Sequence, residues 1–187
     1  SPMELSAEVG RIMAAREARD NIAKLESAGA SVSYLVADVS DRQAVDSALE
    51  EVRTDLGPIK GVIHAAGVLA DKPIHEKTDD QFARVFNTKV RGLQNLLHAT
   101  SNDSLSHMAC FSSVAARSGN PGQVDYAMAN EILNRVCQQE QVRRAGNCLV
   151  KSFGWGPWDG GMVNPALKSD FESMGAKLIP IADGARF

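Results

Sequence analysis

Along the chain, stretches whose apolar residues recur at helical spacing alternate with short runs rich in β-branched and aromatic residues. Leu5 to Ala28, rich in Ala, Arg and Glu, predicts a helix, and Gly29 sits where such a helix stops. Ser31 to Ala37 (SVSYLVA) predicts a strand that ends at Asp38. Ser40 or Asp41 can cap a second helix whose apolar positions Ala44, Val45, Ala48, Leu49 and Val52 share a face, with Gly57-Pro58 as its stop. Gly61 to His64 (GVIH) predicts a fully buried strand running straight into Ala65-Ala66-Gly67. Thr78 and Gln81 have the spacing of a capping box and open a long helix to about His98. Met108 to Ser112 predicts a strand, followed by a Ser/Gly/Asn/Pro loop to Gly122. A helix from about Val124 to Ala145 places Ala129, Leu133, Val136 and Cys137 on one side. Cys148 to Phe153 is the next strand, followed by Gly154-Trp155-Gly156-Pro157-Trp158.

Strands separated by helices of this length predict an α/β fold, a Rossmann-like, doubly wound parallel sheet covered on both faces. No repeat, low-complexity tract or linker divides residues 1–187, so a single domain is expected. Sheets of this kind bind ligands at the carboxyl ends of their strands. That rule directs attention to Asp38-Val39, His64 to Asp71, Ser112-Ser113 and Gly154 to Met162.

Composition changes this picture little. The chain is 44% apolar, 23% charged and only 5% aromatic, which suits a layered α/β core. A net charge of −3 argues against phosphate-based binding of nucleic acid. No apolar run is long enough to span a bilayer and no secretion signal opens the chain, so a cytoplasmic protein without a membrane partner is expected. Cys110, Cys137 and Cys148 lack metal-ligand spacing and are expected as buried free thiols; no metal is expected.

The helix bearing Tyr126 and Asn130 is the most informative stretch, because a spacing of four puts both side chains on one face near the carboxyl edge of the sheet. A tyrosine can protonate a carbonyl oxygen that gains negative charge, and a nearby cation makes the phenolate easier to form. Lys89, on the preceding helix, is the candidate cation, and Ser113 can donate a second hydrogen bond to the same oxygen. Taken singly, each has an ordinary structural explanation: a packing tyrosine, a solvated lysine, a turn serine, a surface asparagine. Composition and periodicity do not link the four.

A resemblance does link them. The runs HAAGVLADKP (from His64), FNTKVRGLQNL (from Phe86), FSSVAARSGNPGQVDYAMANEIL (from Phe111) and FGWGPWDGGM (from Phe153) resemble the ketoreductase domains of polyketide synthases, in the family's order and spacing. Those domains belong to the short-chain dehydrogenase/reductase superfamily. The resemblance implies reduction of a 3-ketoacyl thioester with NADPH, the substrate being carried on the phosphopantetheine arm of an acyl carrier protein, among neighbouring synthase domains.

It also implies roles. Tyr126 matches the catalytic tyrosine and Ser113 the carbonyl-binding serine. Most relatives in the superfamily carry a lysine where this chain has Asn130, and an asparagine where it has Lys89; the exchange resembles that of synthase ketoreductases. Asp38 and Val39 match the pair against the adenine, and Ala65, Ala66 and Gly67 the small residues under the cofactor. Lys89 and Tyr126 complete its contacts. Trp155 and Met162 match the segment near the nicotinamide and acyl chain.

Leu69-Ala70-Asp71 resembles, with its middle Asp missing, the Leu-Asp-Asp signature of ketoreductases that form the D-configured 3-hydroxyl, so Asp71 is a substrate-site candidate. The ending GWGPWDGGMVNPALKSDF and the run AAREARDNIAKLESAGA resemble the ketoreductases of iterative synthases that make polyunsaturated fatty acids.

The glycine-rich turn that receives a dinucleotide's pyrophosphate does not occur in this sequence; the glycines from Gly154 to Gly161 follow the wrong element at the wrong spacing. The chain is therefore expected to be a partial ketoreductase domain without its first βαβ unit, unstable or inactive alone. Two other readings stay open: a non-catalytic ketoreductase-like module that braces a synthase, and a free-standing dehydrogenase acting on a small alcohol.

Overall fold

The computed structural model describes residues 2–161, 163, 165–173 and 175–186, and these fall into two compact units, Ser1–Val36 and Ala37–Phe187. The first unit is one long helix, α1 (Pro2–Ser27), with the segment that follows it. Its stop is local chemistry: Gly29 takes a φ of 90°, and the Ala30 amide reaches back to the Leu25 carbonyl at 3.1 Å. The strand expected over Ser31 to Ala37 does not form; the segment is extended and irregular, with Tyr34 65% and Val36 89% exposed. A strand is held by hydrogen bonds to a neighbour, and among the described residues no strand pairs with this run.

The second unit holds a three-stranded parallel sheet in the order β1 (Gly61–His64), β2 (His107–Ser113), β3 (Leu149–Trp155). The register sets His64 beside Cys110 and Ser113 beside Trp155, so β2 and β3 end level at one edge and β1 stops three residues earlier. Crossovers are helical, as parallel pairing requires. Between β1 and β2 run α3 (Asp79–Phe86), a π-helical turn (Asn87–Arg91) and α4 (Gly92–Ala99), a continuous rod. A one-turn helix, α5 (Ala115–Ser118), and the long α6 (Val124–Arg143) link β2 to β3. Before the sheet comes α2 (Arg42–Leu56), and after it α7 (Pro165–Ser173) and α8 (Ile181–Gly184).

Helix starts follow the sequence closely. Asp41 accepts the amides of Gln43 (2.8 Å) and Ala44 (3.2 Å) at the head of α2. Thr78 and Gln81 make both bonds of the capping box at α3, 3.1 and 3.2 Å. The loop expected from Ser112 to Gly122 contains α5, too short to show periodicity in sequence.

The core lies on one face of the sheet. Met108, Cys110 and Val150 meet Ala129, Leu133 and Cys137 of α6 and Val90 and Leu93 of the α3–α4 rod. Each fully buried Leu or Met there is worth roughly 1.5–3 kcal/mol. The expectation of a fully buried β1 fails: His64 is buried but Ile63 is 72% exposed. The core contributed by α6 and the α3–α4 rod packs on the Val62 and His64 side of β1, whereas a continuous apolar strand presumes cover on both faces. The expected cysteines are free and buried. No helix among the described residues is long and apolar enough to cross a membrane.

Candidate active site

The carboxyl edge of the sheet collects the side chains. Ser113 is the last residue of β2, where the chain turns into α5; its hydroxyl oxygen accepts the Ala115 amide at 3.1 Å, which leaves the hydroxyl proton to be donated elsewhere. Tyr126 stands in the first turn of α6, one turn before Asn130. The Asn130 side chain is wholly buried and its Nδ2 donates to the Tyr126 carbonyl at 2.8 Å, while the Ser112 hydroxyl donates to the Asn130 carbonyl at 3.1 Å. Asn130 therefore ties the tyrosine's turn to β2. Its Oδ1 is buried without a hydrogen-bond partner among the described residues.

Burial raises the Tyr126 phenol above the usual tyrosine range, and the negative charge of Asp71 adds to the rise. Hydrogen bonding to the side chains of Asn130 and Ser113 pulls it back down. Tyr126 thus keeps its proton until a partner draws it.

Lys89 reaches the phenol from the middle of the π turn. Widening of the rod there lets the Gly92 amide bond Asn87 and Lys89, and the Lys89 carbonyl also accepts from Nε2 of the buried His64 at 2.9 Å. The Lys89 side chain crosses the carboxyl edge, donates from Nζ to the Phe111 carbonyl at 2.9 Å and lies 5.4 Å from the centre of the Tyr126 ring. It is only 3% exposed, and burial pulls its ammonium down to about 8.

The residues expected to hold a cofactor flank this centre. A side chain at Gly67 would bring a Cβ within 3.2 Å of Lys89 Cε and 3.4 Å of Nζ, so a larger residue there would push the end of the lysine aside. At Gly92 a Cβ would come within 2.9 Å of Val39, and Asn95 Nδ2 donates to the Val39 carbonyl at 3.0 Å. The Asp38-Val39 segment is thereby pinned to the rod, with the Asp38 carboxylate holding the Ser40 amide and hydroxyl, each at 2.8 Å. Ala65 is exposed and Ala66 half-buried beside Gly67, leaving an uncluttered ledge. The Asp38-Val39 segment and the Ala65-Ala66-Gly67 ledge thus both lie against the rod that carries Lys89.

Of the substrate candidates, Asp71 is exposed and accepts from Gln123 Nε2 at 2.8 Å, just ahead of α6. Trp155 sits in an aromatic cluster, its ring 4.9 Å from Trp158, 5.5 Å from Phe153 and 5.8 Å from Phe111. Met162 lies outside the described residues. Sequence reasoning missed His64, Gly92 and Asn95 as supports, because each acts across elements and carries no local signature. Among the described residues no group of His, Cys, Asp and Glu could hold a metal ion.

Residues 7–160 match the family model of the KR domain. The chain belongs to the ketoreductase domain family. It is 43% identical over 186 residues to a polyunsaturated fatty acid synthase polypeptide of Thraustochytrium sp., covering 99% of this chain and 6% of that protein. It is 37% identical over 162 residues to the phenolphthiocerol synthesis polyketide synthase type I Pks15/1 of Mycobacterium marinum, 86% of this chain and 8% of that one. A crystal structure of a ketoreductase domain from the bacillaene assembly line superposes with a TM-score of 0.79 at 33% identity, covering 90% of this chain and 42% of that chain. The ketoreductase therefore spans a small part of its large relatives. The likeness bears out the synthase resemblance and the parallel Rossmann-type fold.

Proposed function

We propose that the ketoreductase reduces a 3-ketoacyl thioester to the 3-hydroxyacyl thioester with NADPH, within a multidomain synthase that presents the substrate on a carrier protein's phosphopantetheine arm. The observation that carries this reading is the convergence of Tyr126, Lys89, Ser113 and Asn130, from three elements, at one sheet edge. When bound, NADPH would supply the hydride for the new C–H bond at the ketone carbon and be left as NADP+. Tyr126 gives its phenolic proton to the ketone oxygen, and the Ser113 hydroxyl donates to that oxygen and orients it. Electrons and atoms then balance: carbon gains hydride, oxygen gains a proton, and the phenolate remains.

Lys89 offsets that phenolate charge from the face of the ring, and its Nζ would also hold the ribose. Asn130 Oδ1, buried and unpaired among the described residues, would accept from an enclosed water that returns a proton to the phenolate. Asp38, Val39, Ala65, Ala66 and Gly67 would seat the adenine and nicotinamide ends. Asp71 and Trp155 would border the acyl chain, with the D-configured 3-hydroxyl as product.

The test is NADPH oxidation by the intact protein with a 3-ketoacyl N-acetylcysteamine thioester, followed by product analysis. Turnover that collapses in Tyr126→Phe supports the reading. A folded protein that binds NADPH without turnover would instead favour a bracing module.

A further inference from the structure

The reaction just described makes no use of one buried charged pair. Lys77 and Asp125 have side chains 3% and 1% exposed, and Lys77 Nζ lies 2.8 Å from Asp125 Oδ2. The same ammonium donates to the Ala70 carbonyl at 2.6 Å, and Asp125 Oδ1 accepts the Tyr126 amide at 2.9 Å. One ion pair thus joins the residue before Asp71 to the backbone of Tyr126.

Other bonds follow the same seam. The Lys72 amide donates to the Gly122 carbonyl at 3.0 Å, Gln123 to Asp71 at 2.8 Å, and Arg84 to the Leu69 carbonyl at 3.0 Å. A hollow of about 410 Å³ lies between the two segments, lined by Lys72, Ile74, Gly122, Val124 and Met128 among others, and Ile74 is exposed. Desolvating both charges costs several kcal/mol, and an apolar pair of similar volume in such a place is often as stable or more so. Stability alone therefore does not account for the pair.

We propose that Lys77 and Asp125 form a positioning clasp that holds the Leu69–Lys72 loop at a set distance from the first turn of α6, and with it Asp71 relative to the Tyr126 phenol. Lys77 is the residue that sequence patterning hides, since it reads as an ordinary lysine ahead of the Thr78 cap. The effect of the clasp on turnover rests on the ketoacyl-reduction reading; its effect on the loop does not.

The experiment replaces both partners at once, Lys77→Met with Asp125→Leu, in the intact protein, and reads hydrogen exchange, thermal midpoint and steady-state kinetics. The expected result is an unchanged midpoint, lost protection of the Lys72 amide with β2 amides still protected, and kcat lower by about ten- to a hundredfold, as misplacement near 1 Å produces. Wild-type protection at Lys72 overturns the clasp, and wild-type kcat overturns its role in positioning. If the parent protein turns over no ketoacyl thioester, the functional reading fails while the exchange measurement still decides the clasp. If the double variant does not fold, Lys77→Arg decides, since it keeps the charge and changes the reach. Faster Lys72 exchange in Lys77→Arg supports the clasp, and wild-type exchange there overturns it.

Discussion

Two runs of this chain have similar β-forming composition and opposite fates. Ser31 to Ala37 contains three β-favouring side chains in Val32, Tyr34 and Val36, yet it is irregular and largely exposed. Gly61 to His64 is shorter, carries a glycine and a histidine, and is a strand. The difference is a neighbour: β1 pairs with β2 over its whole length, and Ser106 completes the end of the ladder through the Lys60 carbonyl at 2.8 Å. β propensity measures how well side chains fit a pleated surface, and it creates no strand where no such surface exists. The site follows the same rule, since its reactive groups stand only where the paired strands end.

The contrast is broken most severely at the paired edge. Tyr126→Phe keeps the ring against Lys89 and removes the proton, so ketoacyl turnover should fall by about 10²–10⁴-fold with NADPH affinity retained. Undiminished turnover would remove Tyr126 from the chemistry.

The next effect is on pH. Lys89, lowered to about 8 by burial, loses its ammonium as pH rises through that value, so the rate should fall about tenfold per pH unit above it. The sign for stability is opposite. The folded state binds fewer protons than an unfolded chain with an ordinary lysine, so the Lys89 contribution to stability improves as pH climbs from about 8 toward about 10.4. Lys89→Met should abolish both the rate limb and this rise, as pH–rate profiles and pH-dependent melting would show.

Smaller still is Gly92→Ala, whose methyl would meet Val39 at 2.9 Å; a loss of about 1–3 kcal/mol and weaker NADPH binding are expected, read by denaturant unfolding and titration. Smallest is Val36→Ala in the unpaired run, within about 0.5 kcal/mol of the parent. A large loss there would mean that the run is paired after all, and the comparison would fail.

What could be read in the sequence divides along the same line. The caps at Asp41 and Thr78, the stop at Gly29 and the buried face of α6 are properties of adjacent residues, and they stand where patterning put them. The order of elements and the motif runs located the edge of the sheet, and with it Tyr126, Ser113 and Lys89. The cover of β1 was misjudged because GVIH looks the same whether one face or two are covered.

The chain's own sequence determined its helices, their ends, its parallel α/β order and its membership of the ketoreductase family, because each is written in local spacing. Only the tertiary structure decided which β-rich run became a strand, and that Lys89 crosses from a π turn to the face of Tyr126. It also decided that Lys77 meets Asp125 across 48 positions. Those outcomes depend on what a residue meets through space, and desolvation, pairing and hydrogen bonding have no value until the partner is in place.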